Sequence, residues 1–181
     1  NIMYIGALSH LLDMDPAVIE ALIAQQYKAK VKLLDANKHA LHLGRDYARE
    51  HLDPIGLRVR KADNVGDKIF IDGNSAAALG CVYGGATVCA WYPITPSSSL
   101  AEAFQSYCQK YRVDPETGKN RYAMIQAEDE IASIGIVTGA GWNGARAFTT
   151  TSGPGISLMN EFIGLAYFAE IPVTIIDVQR G

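Results

Sequence analysis

The fold is decided by the stretch Thr149-Thr150-Thr151-Ser152-Gly153-Pro154-Gly155, which stands where a predicted strand ends and a predicted helix begins. Two other stretches also stand between the end of a predicted strand and the start of a predicted helix. They are Tyr92-Pro93-Ile94-Thr95-Pro96-Ser97-Ser98 and Ala127-Glu128-Asp129-Glu130. Strand and helix patterns alternate with short links, which predicts an α/β fold with a mostly parallel, doubly wound sheet. Ligands bind at the carboxyl ends of the strands in such a sheet. We therefore expect the three stretches to converge on one crevice.

The predicted strands lie at residues 87–92, 122–126, 146–150 and 172–178, and the predicted helices at 73–84, 97–111, 130–140 and 155–168. The front of the chain differs, because it contains helical patterns and no strand pattern. Asp15-Pro16 combines a side-chain acceptor with a proline at the first turn, which indicates a helix start. We predict a helical segment at residues 1–52, a linker at 53–67 and the α/β domain at 68–181.

Composition excludes several functional classes. Apolar residues make up 49% of the 181 residues, as in a globular protein, and the net charge of −3 favours neither nucleic acid nor an anionic membrane as partner. No apolar run approaches the roughly 20 residues of a membrane span. Three scattered cysteines without a CxxC pair predict core positions, no metal site and a reduced, cytoplasmic setting.

The chain runs from Asn1 to Gly181 and ends just after a predicted strand, so we expect it to be part of a longer polypeptide, truncated at its C-terminus.

Three acidic residues precede the helix pattern that begins at Glu130. A favourable interaction with the helix dipole is sufficient to explain Glu128 and Asp129. Glu130 differs, because apolar and small residues follow it and predict a helix that packs closely against another surface. We expect the Glu130 carboxyl group to become partly buried and to serve in proton transfer.

The other two stretches have simple structural interpretations beside their functional ones. Thr149 to Gly155 is explained by a turn, or by hydroxyls and free backbone N–H groups that bind a ligand at a helix start. Thr95 lies between two prolines, in a stiff loop that would present its hydroxyl group at a strand end. Arg180 is either a solvated charge or a bidentate partner for a carboxylate. The four histidines all lie in the front part, which argues against a histidine-based triad.

The conjunction of five stretches resembles the alpha subunit of the 2-oxoacid:ferredoxin oxidoreductases. They are Gly73-Asn74-Ser75-Ala76-Ala77, Tyr92 to Ser98, Glu128-Asp129-Glu130, Thr150 to Gly155, and Val178-Gln179-Arg180-Gly181. They follow one another in the family's order, and their combination is specific although each alone is not. Gly6-Ala7-Leu8, followed by the Asp15-Pro16 helix, is similar to the tail of a gamma domain that some members carry ahead of the alpha domain.

The resemblance implies an enzyme that uses thiamine diphosphate to decarboxylate a 2-oxoacid oxidatively. The products are an acyl-CoA and CO₂, with coenzyme A as co-substrate and ferredoxin as electron acceptor. The fused gamma–alpha arrangement favours 2-oxoglutarate as substrate, with pyruvate and branched-chain oxoacids as alternatives. The fold that it implies is the pyrimidine-binding domain of the thiamine diphosphate enzymes.

The resemblance also assigns roles to individual residues. Glu130 would hydrogen-bond N1′ of the aminopyrimidine, which favours the imino tautomer that takes the proton from thiazolium C2. Thr95 and Arg180 would contact the substrate carboxylate. The residues expected to contact the cofactor are, besides Glu130, Tyr92, Pro93, Ile94, Thr95, Ser152, Gly153 and Pro154.

One departure from the family concerns the pyrophosphate. The Gly-Asp-Gly pattern followed by an asparagine, which holds pyrophosphate and Mg²⁺, does not occur in this chain. The resemblance places it on a beta subunit that also carries iron–sulfur clusters, so we expect a hetero-oligomer in which this chain alone is inactive. Two alternatives stay open: a non-catalytic assembly or regulatory module, and the pyrimidine domain of another thiamine enzyme. The stretch from Tyr92 to Ser98 argues against the second alternative.

Overall fold

The chain forms two compact units, residues 1–68 and 69–181, in a computed structural model that describes residues 1–28, 30–60 and 62–180. Gly181, the last residue of the Val178–Gly181 stretch, lies outside the described residues. Among those residues, no helix combines the length and the hydropathy that crossing a bilayer requires.

The first unit contains the helices α1 (Ile2–Leu11), α2 (Pro16–Gln26) and α3 (Val31–His51). Asp15 begins α2 as the sequence predicts, since its carboxylate accepts a hydrogen bond from the amide of Ala17 at 2.9 Å. Helices α1 and α3 pack backbone to backbone, because a Cβ built on Gly44 would overlap the main chain at Met3. The proposed origin of this unit as the tail of a gamma-type domain stays a prediction.

The second unit alternates helices and strands. Its elements are α4 (Gly73–Tyr83), β1 (Val88–Trp91), α5 (Ser98–Tyr111), β2 (Ala123–Gln126), α6 (Glu130–Trp142), β3 (Ala147–Thr151), α7 (Gly153–Leu158), α8 (Asn160–Phe168) and β4 (Thr174–Asp177). The four strands form one sheet in the order β2-β1-β3-β4, and every pairing is parallel. The predicted α/β fold with a parallel sheet is confirmed.

Successive residues of the strands point to opposite faces of the sheet, and each face has its own core. On one face, Cys89 and Phe148 pack against α4 and α5 in a cluster that includes Leu100 and Phe104. On the other face, their neighbours in sequence, Ala90 and Ala147, pack against α6. The sheet therefore has helices on both faces, as the sequence predicts.

The three cysteines all belong to the core between the sheet and α4–α5. Cys89 and Cys108 are buried and Cys81 is half-buried, and none forms a disulfide. Burial raises the pKa of all three thiols, and for Cys89 the neighbouring Cys81 and Cys108 add to this effect. The cysteines are therefore neutral, apolar packing groups at physiological pH, as expected.

Two predicted elements need correction. The helix predicted at 155–168 is two helices, since α7 ends at Leu158 and α8 begins at Asn160, with the fully buried Met159 between them. The last strand begins at Thr174 rather than at Pro172, because proline has no N–H group to donate to a neighbouring strand.

The strand order places a topological switch between β1 and β3. The chain leaves β1 toward β2 on one side and returns to β3 on the other side. Ligands of open parallel sheets bind at such a switch, beyond the carboxyl ends of the strands. The segments that follow β1 and β3 are Tyr92–Ser98 and Ser152–Gly155, so two of the three stretches selected from the sequence flank this position.

Candidate functional site

Glu130 is the first residue of α6 and is only 7% exposed. The exposed Asp129 precedes it and caps the helix, since its carboxylate accepts a hydrogen bond from the amide of Ala132 at 2.6 Å. Glu128 is exposed as well. The three acidic residues therefore differ in exposure as expected: Glu128 and Asp129 are exposed to solvent at the helix start, and Glu130 is buried.

The Glu130 side chain packs against the beginning of α7. A Cβ built on Gly155 would lie 2.9 Å from Glu130 Cγ and would overlap Oγ1 of Thr151. Gly155 and Thr151 are themselves buried. The stretch after β3 and the acidic stretch after β2 thus meet around one point. Within the described part of the chain, the Glu130 carboxylate forms neither a hydrogen bond nor an ion pair.

The threonines of β3 form a row of buried hydroxyl groups. Thr149 and Thr150 are 0% exposed, and Thr151 is 1% exposed. No hydrogen-bond partner for Oγ1 of Thr149 or Thr150 exists among residues 1–28, 30–60 and 62–180. Alternation along the strand places Thr149 and Thr151 on the face of α6, and Thr150 on the face of α4 and α5. The end of β3 therefore holds more hydrogen-bonding capacity than the chain itself uses.

Hydrogen bonds hold the loop after β1 in place. The carbonyl oxygen of Ile94 accepts from the hydroxyl of Ser97 at 3.0 Å and from the amide of Ser98 at 3.1 Å. Asn74, near the start of α4, donates to the Pro96 carbonyl at 3.0 Å and to the Ser99 hydroxyl at 2.7 Å. Helix α4 thereby fastens the loop that carries Thr95.

Thr95 itself is exposed, and so are Tyr92 and Pro93. It borders an open pocket of about 290 Å³ whose other lining residues are Pro96, Ser98, Ser99 and Glu102. Neither Glu130 nor Arg180 lines this pocket. Thr95, Glu130 and Arg180 follow β1, β2 and β4, so all three lie beyond the carboxyl-end edge of the parallel sheet, and their grouping in one site stays a prediction.

The segment after β4 lies against the stretch after β3. The amide of Val178 donates to the carbonyl of Thr151 at 2.9 Å. The side-chain amide of Gln179 covers Gly153, since a Cβ built there would lie 2.9 Å from Gln179 Nε2. Arg180 is exposed and makes no hydrogen bond or ion pair with the described residues. Its guanidinium remains available to an anion at this edge.

The sequence pattern did not assign a function to Asn74 or to Thr151. Asn74 acts on a loop 22 positions away, which no local pattern reveals. Thr151 was quoted as one hydroxyl in a stretch, but its contact with Gly155 depends on how the chain turns into α7. Among the described residues, no group of three or more histidine, cysteine, aspartate or glutamate side chains could hold a metal ion.

A known family matches the second unit. The family model described as pyruvate flavodoxin/ferredoxin oxidoreductase, thiamine diphosphate-binding, matches residues 79–181. A 2-oxoacid:ferredoxin oxidoreductase alpha subunit from Aeropyrum pernix is 38% identical over 181 residues, covering 97% of this chain and 28% of that protein. The 2-oxoglutarate synthase subunit KorA from Methanocaldococcus jannaschii is 48% identical over 112 residues, covering 62% of this chain and 28% of that protein.

A solved structure is similar over both units. It is the 2-oxoglutarate:ferredoxin oxidoreductase from Magnetococcus marinus with 2-oxoglutarate, coenzyme A and succinyl-CoA bound, at 34% identity and a TM-score of 0.74. The similarity covers 99% of this chain and 30% of that one. The chain thus spans less than a third of the length of these relatives.

Proposed function

The chain belongs to the pyruvate flavodoxin/ferredoxin oxidoreductase family as part of a 2-oxoacid:ferredoxin oxidoreductase alpha subunit, and on this premise we propose that it binds the pyrimidine ring of thiamine diphosphate through Glu130. The single observation that carries the proposal is that Glu130, a residue only 7% exposed, has a carboxylate without a partner in the described chain. A carboxylate without a partner on a largely buried residue can accept a hydrogen bond from a bound ligand, which supports the proposal.

The residues around Glu130 fit an aminopyrimidine. The ring nitrogen N1′ would share a proton with the Glu130 carboxylate, and the hydroxyl group of Thr149, unpaired in the described chain, lies on the same face of the sheet as α6. Bound thiamine diphosphate supplies a thiazolium carbon that attacks carbonyl groups. In this proposal, the task of this chain is to hold a proton between Glu130 and N1′.

We infer the substrate site from the exposed residues of the same edge. Thr95 offers a hydroxyl group and Arg180 a guanidinium without a partner in the described residues, a pair suited to the carboxylate of a 2-oxoacid. 2-Oxoglutarate is the favoured substrate, since two of the relatives are named for it. Pyruvate and branched-chain oxoacids are the alternatives.

The remaining parts of the reaction belong to partners in this proposal. A beta subunit would hold the pyrophosphate, Mg²⁺ and iron–sulfur clusters, and ferredoxin would accept the electrons while coenzyme A takes the acyl group. The exposed positions of Thr95 and Arg180 are consistent with a site that a second polypeptide completes. The alpha subunit would then be inactive by itself.

Reconstitution tests this function. The alpha subunit is mixed with its beta partner, thiamine diphosphate, Mg²⁺, coenzyme A and 2-oxoglutarate, and CO₂ release and acceptor reduction are measured. We expect turnover that requires both subunits and that Glu130→Gln abolishes while the complex still assembles. Glu161→Gln is the matched control, since Glu161 is an exposed glutamate in the first turn of α8. Full turnover in Glu130→Gln would instead favour a non-catalytic assembly module.

A further inference from the structure

We propose that Gly155 and Thr151 position the Glu130 carboxylate, and that Gly155 is required because it has no side chain. This inference rests on the proposed role of Glu130 toward the pyrimidine ring. It assigns Gly155 a positioning role rather than a turn or a backbone donor, which were the two functions that its sequence stretch suggested.

The packing around Gly155 supports this role. Glu130 Cγ lies 2.9 Å from the place of a Cβ on Gly155, and Thr151 Oγ1 overlaps that place. Both neighbours are held: Glu130 belongs to the first turn of α6, and Thr151 ends β3, where its carbonyl accepts from Val178. Neither is the far end of a long flexible side chain. A methyl group at residue 155 must therefore displace the Cγ that carries the Glu130 carboxyl group, or the Thr151 hydroxyl, or both.

Backbone conformation does not explain this glycine. Five other glycines have positive φ angles, at positions 56, 66, 85, 118 and 144, but Gly155 lies within α7 in an ordinary helical conformation. An alanine is tolerated by the helical backbone itself. The constraint at residue 155 is thus space beside Glu130, which connects the stretch after β3 directly to the proposed proton-transfer group.

The experiment measures two properties of the assembled enzyme without 2-oxoacid: the rate of deuterium exchange at C2 of bound thiamine diphosphate, and the affinity for that cofactor. The variants are Gly155→Ala, Glu130→Gln and the double variant. Gly139→Ala is the control, because Gly139 lies in the same helix as Glu130 and a Cβ there would meet nothing within 4 Å. The unfolding midpoint of each complex is recorded alongside.

We expect Gly155→Ala to slow C2 exchange by about 10- to 100-fold, since a misplacement of about 1 Å is enough for such a loss. Gly139→Ala should exchange at the native rate. In the Glu130→Gln background, Gly155→Ala should change cofactor affinity by less than about twofold, because a residue that acts through Glu130 has no further effect once Glu130 is replaced. If Gly155→Ala lowers cofactor affinity by the same factor in the native enzyme and in the Glu130→Gln variant, the positioning role is overturned.

The outcomes separate the inference from the proposed function. If Glu130→Gln leaves exchange at the native rate, the function proposed for Glu130 is wrong. If Glu130→Gln slows exchange but Gly155→Ala matches Gly139→Ala, only the positioning role is wrong. If the Gly155→Ala variant does not assemble, the double variant Thr151→Ala with Gly155→Ala is used in its place, because it lacks the hydroxyl group that the new methyl group would overlap. That double variant should exchange about tenfold more slowly than Thr151→Ala alone, and equal rates would refute the role.

Discussion

The site residues at the carboxyl-end edge of the sheet form two sets, a buried half of the site (Glu130, Thr151 and Gly155) and an open half (Thr95 and Arg180), which differ in how they are held. Around Glu130, side chains and backbone are packed: Glu130, Thr151 and Gly155 are all buried. Around Thr95 and Arg180 the surface is open, and the loop that carries Thr95 depends on hydrogen bonds from Asn74. A buried group keeps its position without a ligand, whereas an exposed long side chain must be ordered when a ligand binds. The buried half is therefore preorganised by this chain, and the open half is not.

Replacement of Glu130 by alanine should give the largest effect. In the assembled enzyme we expect kcat to fall by about 10²- to 10⁴-fold, the usual contribution of a positioned proton-transfer group, while KM for the 2-oxoacid changes little. Steady-state kinetics at saturating cofactor measures both constants. The distinction between the two halves fails if Glu130→Ala raises KM and leaves kcat intact.

Replacement of Arg180 by alanine should show the opposite pattern. A hydrogen bond between charged groups contributes about 1.5–3 kcal/mol, so KM for the oxoacid should rise by about 10- to 100-fold. Thiamine diphosphate affinity should stay at the native value, because Arg180 lies in the open half. Lys119→Ala, at an exposed cation of the loop between α5 and β2, is the control. A native KM in Arg180→Ala would remove this residue from the substrate site.

Replacement of Asn74 by alanine should loosen the open half alone. The change removes two side-chain hydrogen bonds, to the Pro96 carbonyl and the Ser99 hydroxyl, each contributing about 1 kcal/mol. We expect faster amide hydrogen exchange in residues 92–98 and a KM raised by a few-fold, with exchange around Glu130 unchanged. Asn143→Ala removes a bond within the end of α6 and serves as control. Unaltered exchange in the loop would contradict the fastening role of α4.

Replacement of Thr149 by valine should give the smallest effect, on stability. The hydroxyl group is fully buried and unpaired in the described chain, so its removal at constant shape should raise the free energy of unfolding by about 1 kcal/mol. Thr138→Val makes the same change where the hydroxyl donates to the Ile134 carbonyl at 2.8 Å, and it should destabilise by a similar amount. Denaturant titration of both variants compares them. Destabilisation by Thr149→Val would mean that this hydroxyl has a partner.

The sequence predicts the sheet and the separation of Glu130 from its acidic neighbours for local reasons. Strand and helix patterns are properties of short segments, and the apolar and small residues after Glu130 follow it directly. The break at Met159 could not be predicted in this way, because no glycine or proline marks it between residues 156 and 163. The fastening of the loop by Asn74 and the packing of Gly155 on Glu130 join separate parts of the chain, so they become visible only in three dimensions.

Among the small residues of α6, one packs closely against a neighbouring helix as the sequence predicts, and another does not. The pattern after Glu130 predicts close packing, and Gly135 does lie against the Phe162 ring of α8, where a Cβ would approach to 3.1 Å. Gly139 follows the same pattern but meets no atom within 4 Å of an added Cβ. A stretch of small residues thus indicates that close packing is allowed, and the fold determines at which of them it occurs.

The most direct test of the central claim is a structure of the assembled enzyme with thiamine diphosphate bound. The account predicts a carboxylate oxygen of Glu130 at about 2.6–3.2 Å from N1′ of the pyrimidine ring, the reach of a hydrogen bond that transfers a proton. A pyrimidine ring bound elsewhere, with N1′ paired to another residue and Glu130 still without a partner, would contradict it.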